Sequence, residues 1–385
     1  MSASHERALE ALVRRGRLRT LEPARGLDFA SNDYLGLANS SVLRAGVSKA
    51  LERGVAIGAG GSRLLRGNNH EHEALEAEAA SVFRAESALF FGGGFVANTA
   101  LFSTLPQRGD LVVFDELIHA SVHEGLRLSK AEAKAFCHND ASACDGAIRD
   151  WRSGGGSGRV WIAVETLYSM DGDRAPLGDL RDVAARHDAI LMLDEAHATG
   201  VFGDGGRGLG AALEGLPNVI SLHTCGKALG VSGALVLGPA IFRDFLINRA
   251  RAFIYATAPS PLVAAAVRAA LTISANEPQR RDALQARIKV ASSLLTTKLG
   301  LTPSGSQIQP IIVGSDTRAV ALAGALQRRG FDIRAIRPPT VPEGTARLRM
   351  TLTLNTNGAA ISDLIDALSQ DWDQDWAQDS ARGTS

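Results

Sequence analysis

Lys227 lies in SLHTCGKALGVSGALVLG, held between Gly226 and Ala228 ahead of an apolar strand pattern. Lysine is ordinarily a solvated surface residue. Small and apolar flanks point instead to a desolvated amine, whose pKa falls and which can attack an aldehyde to form a Schiff base. A second chemical group closes the run AILMLDEAHATG at 189–200, where five apolar residues end in Asp194 and His197 follows three positions later. Parallel α/β sheets bind ligands at the carboxyl ends of their strands, which places Asp194 against a crevice. Pyridoxal phosphate needs both kinds of residue: a lysine for its aldehyde, and a carboxylate against its pyridine nitrogen so that the protonated ring can accept a carbanion's electrons. Asp194 suits the nitrogen and His197 the ring hydroxyl.

The phosphate of such a cofactor calls for bare amides at a helix N-terminus, with glycines that let the backbone approach. FFGGGFVANTALF at 90–102 offers this, with Gly94 and Phe95 as the candidates. A run of three glycines is also simply a tight connection. His119, in DELIHASVHEG, follows the strand pattern LVVF and has two readings: an imidazole stacked on a flat heteroaromatic ring, or a helix-start histidine making a local hydrogen bond. Ser169 in ETLYSMDGD and Thr224 carry the same pair of readings. The letters DEAH also occur in nucleotide-hydrolysing helicases, but the GxxxxGK[ST] phosphate loop that this reading requires is absent from the sequence. GVAIGAGGSR at 54–63 lacks GxGxxG spacing and a preceding strand, so those glycines read as a turn.

The elements that must position these residues alternate. Apolar β-rich runs begin with SALFF at 87 and continue with LVVF at 111, VWIAV at 160, AILML at 189, VISL at 219 and ALVL at 234. Between them lie helix-period stretches such as HEHEALEAEAASVF at 70–83 and LGDLRDVAARH at 177–187. This is βαβ repetition, an α/β fold with a mostly parallel central sheet. Beyond about 273 the rhythm becomes a long helix, the strand IQPIIV at 308, the helix AVALAGALQRRG and the strand ARLRMTLT at 346, a smaller α+β C-terminal domain. The expected divisions are an N-terminal segment 1–37, a large cofactor-binding domain 38–273, a small domain 274–370 and a frayed tail 371–385. SGGGSG at 153–158 reads as a flexible surface loop.

With 41 basic against 41 acidic side chains the formal charge is zero, which points away from nucleic acid or a membrane surface and toward a small-molecule partner. Cys137, Cys144 and Cys225 form no CxxC pair, so neither a disulfide framework nor a zinc site is expected. The first twenty residues have no apolar core of the signal-peptide kind, and no run approaches the roughly 20 apolar residues of a membrane span. The expectation is a cytoplasmic protein without a metal.

In register from SNDYLGL at 31 to RLRMTLT at 347–353, the sequence carries SRLLRGN, GGGFVAN, HAS, SMDGD, DEAHATGVFG, GKALGVSGA and PPTVPEGTARLR. In these motifs and their order the chain resembles the α-oxoamine synthases, pyridoxal-phosphate enzymes of fold type I, the aspartate-aminotransferase-like class. The resemblance implies that Lys227 bears the cofactor, Asp194 pairs with the pyridine nitrogen, His197 contacts the ring hydroxyl and His119 stacks on the ring. It places Gly94, Phe95, Ser169 and Thr224 around phosphate and ring, and Arg19, Asn32, His119, Thr340 and Arg349 around the substrate, with Arg349 as the carboxylate clamp. It implies a decarboxylative condensation of L-alanine with a pimeloyl-thioester, carried by coenzyme A or an acyl carrier protein, in biotin biosynthesis. Glycine with acetyl-CoA, and 5-aminolevulinate formation, are the alternatives within the family. A plain aminotransferase and a catalytically silent pyridoxal-phosphate-fold binding protein stand further off, and the presence of both Lys227 and Asp194 argues against the silent protein. The family resemblance also implies a homodimer with active sites at the interface, residues 255–261 reaching the partner's cofactor.

Overall fold

The computed structural model describes residues 3–380. They divide into two compact units: a smaller one of residues up to Tyr34, Met170–Asp173 and the chain from Asp282 on, and a larger one of Leu35–Ser169 and Arg174–Arg281. In the smaller unit the helix Ala3–Arg14 is followed by the two-residue strand β1 (Leu27–Asp28).

The larger unit carries seven strands: β2 (Ser87–Phe91), β3 (Leu111–Asp115), β4 (Glu132–Phe136), β5 (Val160–Glu165), β6 (Ile190–Asp194), β7 (Val219–Thr224) and β8 (Ala234–Gly238). They form one sheet in the order β2-β8-β7-β6-β5-β3-β4, in which β8 runs antiparallel to both its neighbours and the remaining pairs are parallel. β2, β3, β5 and β6 are buried along their whole length because both faces are covered, as a parallel sheet requires. Alternation divides the strands between two cores. Val112, Ala163, Met192 and Ile220 pack on one face, and Leu111, Val113, Ile162, Leu191 and Val219 on the other.

β4 was not expected from the sequence. Its residues EAKAF are largely exposed because it is the last strand of the sheet, and charged side chains at 132 and 134 are what an edge strand carries. Nor is the glycine run after Ser153 loose. A Cβ at Gly156 would enter the Trp151 ring, one at Gly158 would meet the Gly109 carbonyl, and Arg152 Nη1 donates to the carbonyls of both glycines.

The smaller unit holds β9 (Ile308–Gly314), β10 (Phe331–Asp332), β11 (Arg334–Ile336) and β12 (Ala346–Thr351). β11, β12 and β9 make an antiparallel sheet with β12 in the centre, and β1 pairs with β10 in parallel. The helix expected at 319–330 starts earlier, at Asp316, because Ser315 caps it by accepting from Arg318 N. The last helix, Gly358–Ser380, enters the segment expected to fray from 371. Leu364, Leu368 and Trp372 recur every fourth residue on a buried face, so the apolar stripe continues past the point where the composition turns polar. Residues 381–385 lie outside the described residues.

Candidate active site

Four side chains of the larger unit converge at the carboxyl edge of its sheet. Asp194 is the final residue of β6 and is nearly buried. Its Oδ1 accepts from the amide of Ala196 at 2.9 Å and its Oδ2 from Asn98 Nδ2 at 2.7 Å. Two donors, one on each oxygen, fix the orientation of the carboxylate. His197 sits on the turn that follows, also buried, and its Nε2 lies 2.6 Å from Lys227 Nζ. That turn is anchored from beneath by Glu195, which accepts from Thr166 Oγ1 at 2.8 Å, Leu209 N at 3.0 Å and Gly210 N at 2.5 Å. The acidic pair of the motif thus has divided roles, Asp194 facing the strand ends and Glu195 turned into the protein. Burial pushes Glu195 up to about 7, against the pull of His223 and of its donors.

Lys227 is half-buried on the turn between β7 and β8. The turn is closed by Cys225 N to Gly233 O and Val231 N to Cys225 O, both at 2.9 Å. Gly233 permits this with a φ of 106° and no side chain; a Cβ there would enter the Phe90 ring. Thr224, at the end of β7, accepts from Gly226 N and donates to Gly233 O, so it braces the same turn.

The helix Gly94–Thr104 begins at Gly93 without a side-chain cap, and its first intrahelical bond runs from Ala97 N to Gly93 O. The amides of Gly94 and Phe95 therefore precede the helical ladder, an arrangement that favours an anion. A Cβ on Gly94 would lie 3.6 Å from Thr224 Oγ1, so the glycine turn and the Thr224 strand end adjoin. Phe95 is half-exposed and meets His119 edge to face at 6.5 Å.

His119 caps the helix Ala120–Leu128: its Nδ1 accepts from Ser121 N at 3.2 Å and lies 2.7 Å from Ser121 Oγ. The local hydrogen bond anticipated as the plainer reading is present. It uses Nδ1 and the ring edge and leaves the ring faces for other contacts. Burial holds His119 below the ordinary histidine range, with Asp194 opposing and Lys227 adding to the shift, so this imidazole is neutral at neutral pH. Ser169 is buried and donates its amide to Glu165 Oε2 at 3.1 Å.

Two residues of this cluster were not anticipated. Asn98 joins Asp194 to Ser121 through Nδ2, at 2.7 and 3.0 Å. Its signal was a lone amide in an apolar helix, one turn after Gly94. Glu165 ends β5 as Asp194 ends β6, and the two are register partners.

The remaining expected residues belong to the smaller unit. Arg349, buried on β12, donates from Nη1 to Thr351 Oγ1 at 2.8 Å. Asn32 accepts from Tyr34 OH at 3.1 Å. Arg19 lines a cavity of about 660 Å³ with Leu12, Arg17, Pro339 and Val341, and exposed Thr340 lies between the latter two in sequence. Among the described residues no group of three or more His, Cys, Asp or Glu is placed to hold a metal, and no helix is long and apolar enough to cross a membrane.

A half-buried lysine amine, a fixed strand-end carboxylate and an uncapped helix start have the chemistry to fit pyridoxal phosphate at its aldehyde, ring nitrogen and phosphate. Known proteins agree with that fit. The aminotransferase class I and II family matches residues 24–368. The 8-amino-7-oxononanoate synthase of Chromobacterium violaceum is 42% identical over 89% of this chain and 88% of its own length, and that of Anaeromyxobacter sp. is 40% identical over 94% and 93%. Among solved structures, the 8-amino-7-oxononanoate synthase of Francisella tularensis superposes with a TM-score of 0.77 at 28% identity, covering 91% of this chain and 99% of that one. Serine palmitoyltransferase of Sphingomonas wittichii gives 0.85 at 26%, covering 96% and 95%. The chain belongs to the aminotransferase class I and II family, in the fold-type I pyridoxal-phosphate class, and within it to the 8-amino-7-oxononanoate synthases, which are acyltransferases.

Proposed function

We propose that this enzyme joins L-alanine to a pimeloyl-thioester with loss of carbon dioxide, releasing the free thiol and 8-amino-7-oxononanoate for biotin biosynthesis. The observation that carries the reading is the 2.6 Å approach of Lys227 Nζ to His197 Nε2 beside an Asp194 held by two donors. Lys227, Asp194, His197 and His119 would hold the ring of pyridoxal phosphate, with Gly94, Phe95, Ser169 and Thr224 around its phosphate and ring. Bound there, the cofactor supplies a protonated ring that accepts the electron pair left on the amino acid's Cα.

Lys227 Nζ would hold the cofactor through its aldehyde, and as a free amine it would be the base that takes the Cα proton and later returns one. His197, within hydrogen-bond reach of Nζ, orients the amine and can share its proton. Asp194 would hold the ring nitrogen of the bound cofactor, and Asn98 and the Ala196 amide keep Asp194 in place for it. His119, neutral through burial, presents a ring face without adding a positive charge beside the lysine. Within the smaller unit, Arg349 has the planar fork that suits an amino-acid carboxylate, and the family resemblance gives Asn32, Thr340 and Arg19 to the substrate as well.

The enzyme works in the cytoplasm as a homodimer. Ile57, Leu65, Phe95 and Tyr255 are exposed apolar side chains of the larger unit, and the chain near Ile57 is tied to the segment after Tyr255 by Ala258 N to Gly61 O at 2.9 Å. Apolar surface of this kind suits burial against a second copy. The test of function is a panel of alanine, glycine and serine against pimeloyl-, acetyl- and succinyl-CoA, following thiol release. Alanine with the pimeloyl-thioester should turn over fastest. A preference for glycine with acetyl-CoA or succinyl-CoA would move the enzyme to another reaction of the same family, and a pimeloyl-carrier-protein arm would identify the natural carrier.

A further inference from the structure

Glu165 is a buried carboxyl that the reaction scheme leaves unused. It ends β5 at the register position beside Asp194, and partners across a parallel pair point to the same face of the sheet. The two carboxyls are not treated alike. Asp194 receives Asn98 Nδ2 and the Ala196 amide, one donor on each oxygen. Among the described residues Glu165 receives only the Ser169 amide, on Oε2, while Oε1 is buried with no hydrogen-bond partner. A bare carboxylate oxygen in that position would be an uncompensated buried charge, whereas an O–H there is a neutral group.

We infer that Glu165 is a neutral carboxylic acid at physiological pH, carrying its proton on Oε1, and that it thereby leaves Asp194 as the negative charge of the strand-end pair. Two adjacent carboxyls cannot both ionise at low cost, and the proton settles on the one with fewer donors. The surrounding groups point the same way on balance. Asp194 from β6 and Asp115 from β3 oppose ionisation of Glu165, and Lys227 favours it. Asp115 is itself engaged by His138 Nδ1 at 2.9 Å and Asn139 N at 2.8 Å, so its charge is fixed. Burial, followed by the Asp194 charge, holds Glu165 well above the usual carboxylate range. Glu165 is then a positioning residue for charge: ionised, it would put a second negative group beside Asp194 and pull the Lys227 amine toward its protonated form. This consequence rests on the role of Asp194 proposed above, whereas the protonation state does not.

The experiment is infrared difference spectroscopy on the cofactor-free full-length protein, wild type minus Glu165→Gln, with Glu165→Leu as the second reference should the amide variant fail to fold. At pH 7 the difference should contain a carboxylic-acid C=O band that shifts in D2O and disappears only at higher pH. In an Asp194→Asn background the pH at which it disappears should fall by about one unit or more, since the like charge is gone. A carboxylate band in place of the acid band at pH 7, or a midpoint indifferent to Asp194→Asn, would overturn the inference. Because the band is read without cofactor or substrate, failure of the turnover panel leaves it standing, and the two claims fall separately.

Discussion

In the larger unit the buried carboxyls Asp115, Glu165 and Asp194 stand at strand ends, while in the smaller unit the buried arginines stand along a strand. Asp194 and Glu165 each close a run of buried apolar residues, and their hydrogen-bond donors come from a helix and turns beyond the sheet. Arg347 and Arg349 alternate with Leu348 and Met350 on β12, all four buried between two neighbouring strands. Arg347 is spent on Asp171, an ion pair within the unit, whereas Arg349 donates to the hydroxyl of Thr351. A strand end offers a crevice where several elements meet, which suits many-residue chemistry. A strand interior offers one rigid position, which suits a single directional grip. On the function proposed above, the larger unit's strand ends would carry the reaction and Arg349 of the smaller unit would take the substrate carboxylate.

Substitutions can break that division. Lys227→Ala should have the largest effect, abolishing turnover together with the visible absorption of the lysine-bound cofactor while leaving the thermal transition in place. Asp194→Asn keeps the shape and the Ala196 contact but removes the charge. Its loss should fall on rate by about 10²–10³-fold and far less on cofactor retention, measured as alanine Cα-proton exchange against cofactor release. Arg349→Lys should weaken alanine binding by about 1.5–3 kcal/mol, the scale of a charge-assisted hydrogen bond, with the thioester's Michaelis constant nearly unmoved. If only the thioester constant rose, the smaller unit's arginine would serve the acyl donor and the division would be inverted.

The smallest effect concerns stability. Glu195 is raised in the folded state from 4.5 to about 7, so it contributes stability that is fully present below pH 4.5 and lost as pH rises through about 7. Glu195→Gln cannot titrate. The excess of the wild-type Tm over that of the variant should therefore narrow between pH 4.5 and 8, and a gap independent of pH would show that Glu195 titrates normally.

Lys227, Asp194 and His197, which the fold brings to one strand-end region, could be singled out in the sequence because each is a chemically marked residue beside a strong local pattern: a glycine before the lysine, an apolar strand before the aspartate. The βαβ strands were legible for the same reason, since fully buried strands are continuous apolar runs. β4 was not, because an edge strand alternates charge with alanine and has no apolar run to read. Asn98 and Glu165 were harder still. Their importance comes from the partner brought to them by the fold, Asp194 in both cases, and nothing in ANTAL or VETL states that partner. The continued last helix was hidden by a polar composition in which Trp372 is the buried residue that extends the apolar stripe of Leu364 and Leu368.

The central claim is tested most directly by carbon balance. With L-alanine labelled with ¹³C in its carboxyl group and pimeloyl-CoA as acyl donor, the enzyme should release labelled carbon dioxide and free thiol in a one-to-one ratio, with no pyruvate. Thiol release without labelled carbon dioxide, or pyruvate in its place, would contradict the decarboxylative condensation assigned to Lys227 and Asp194.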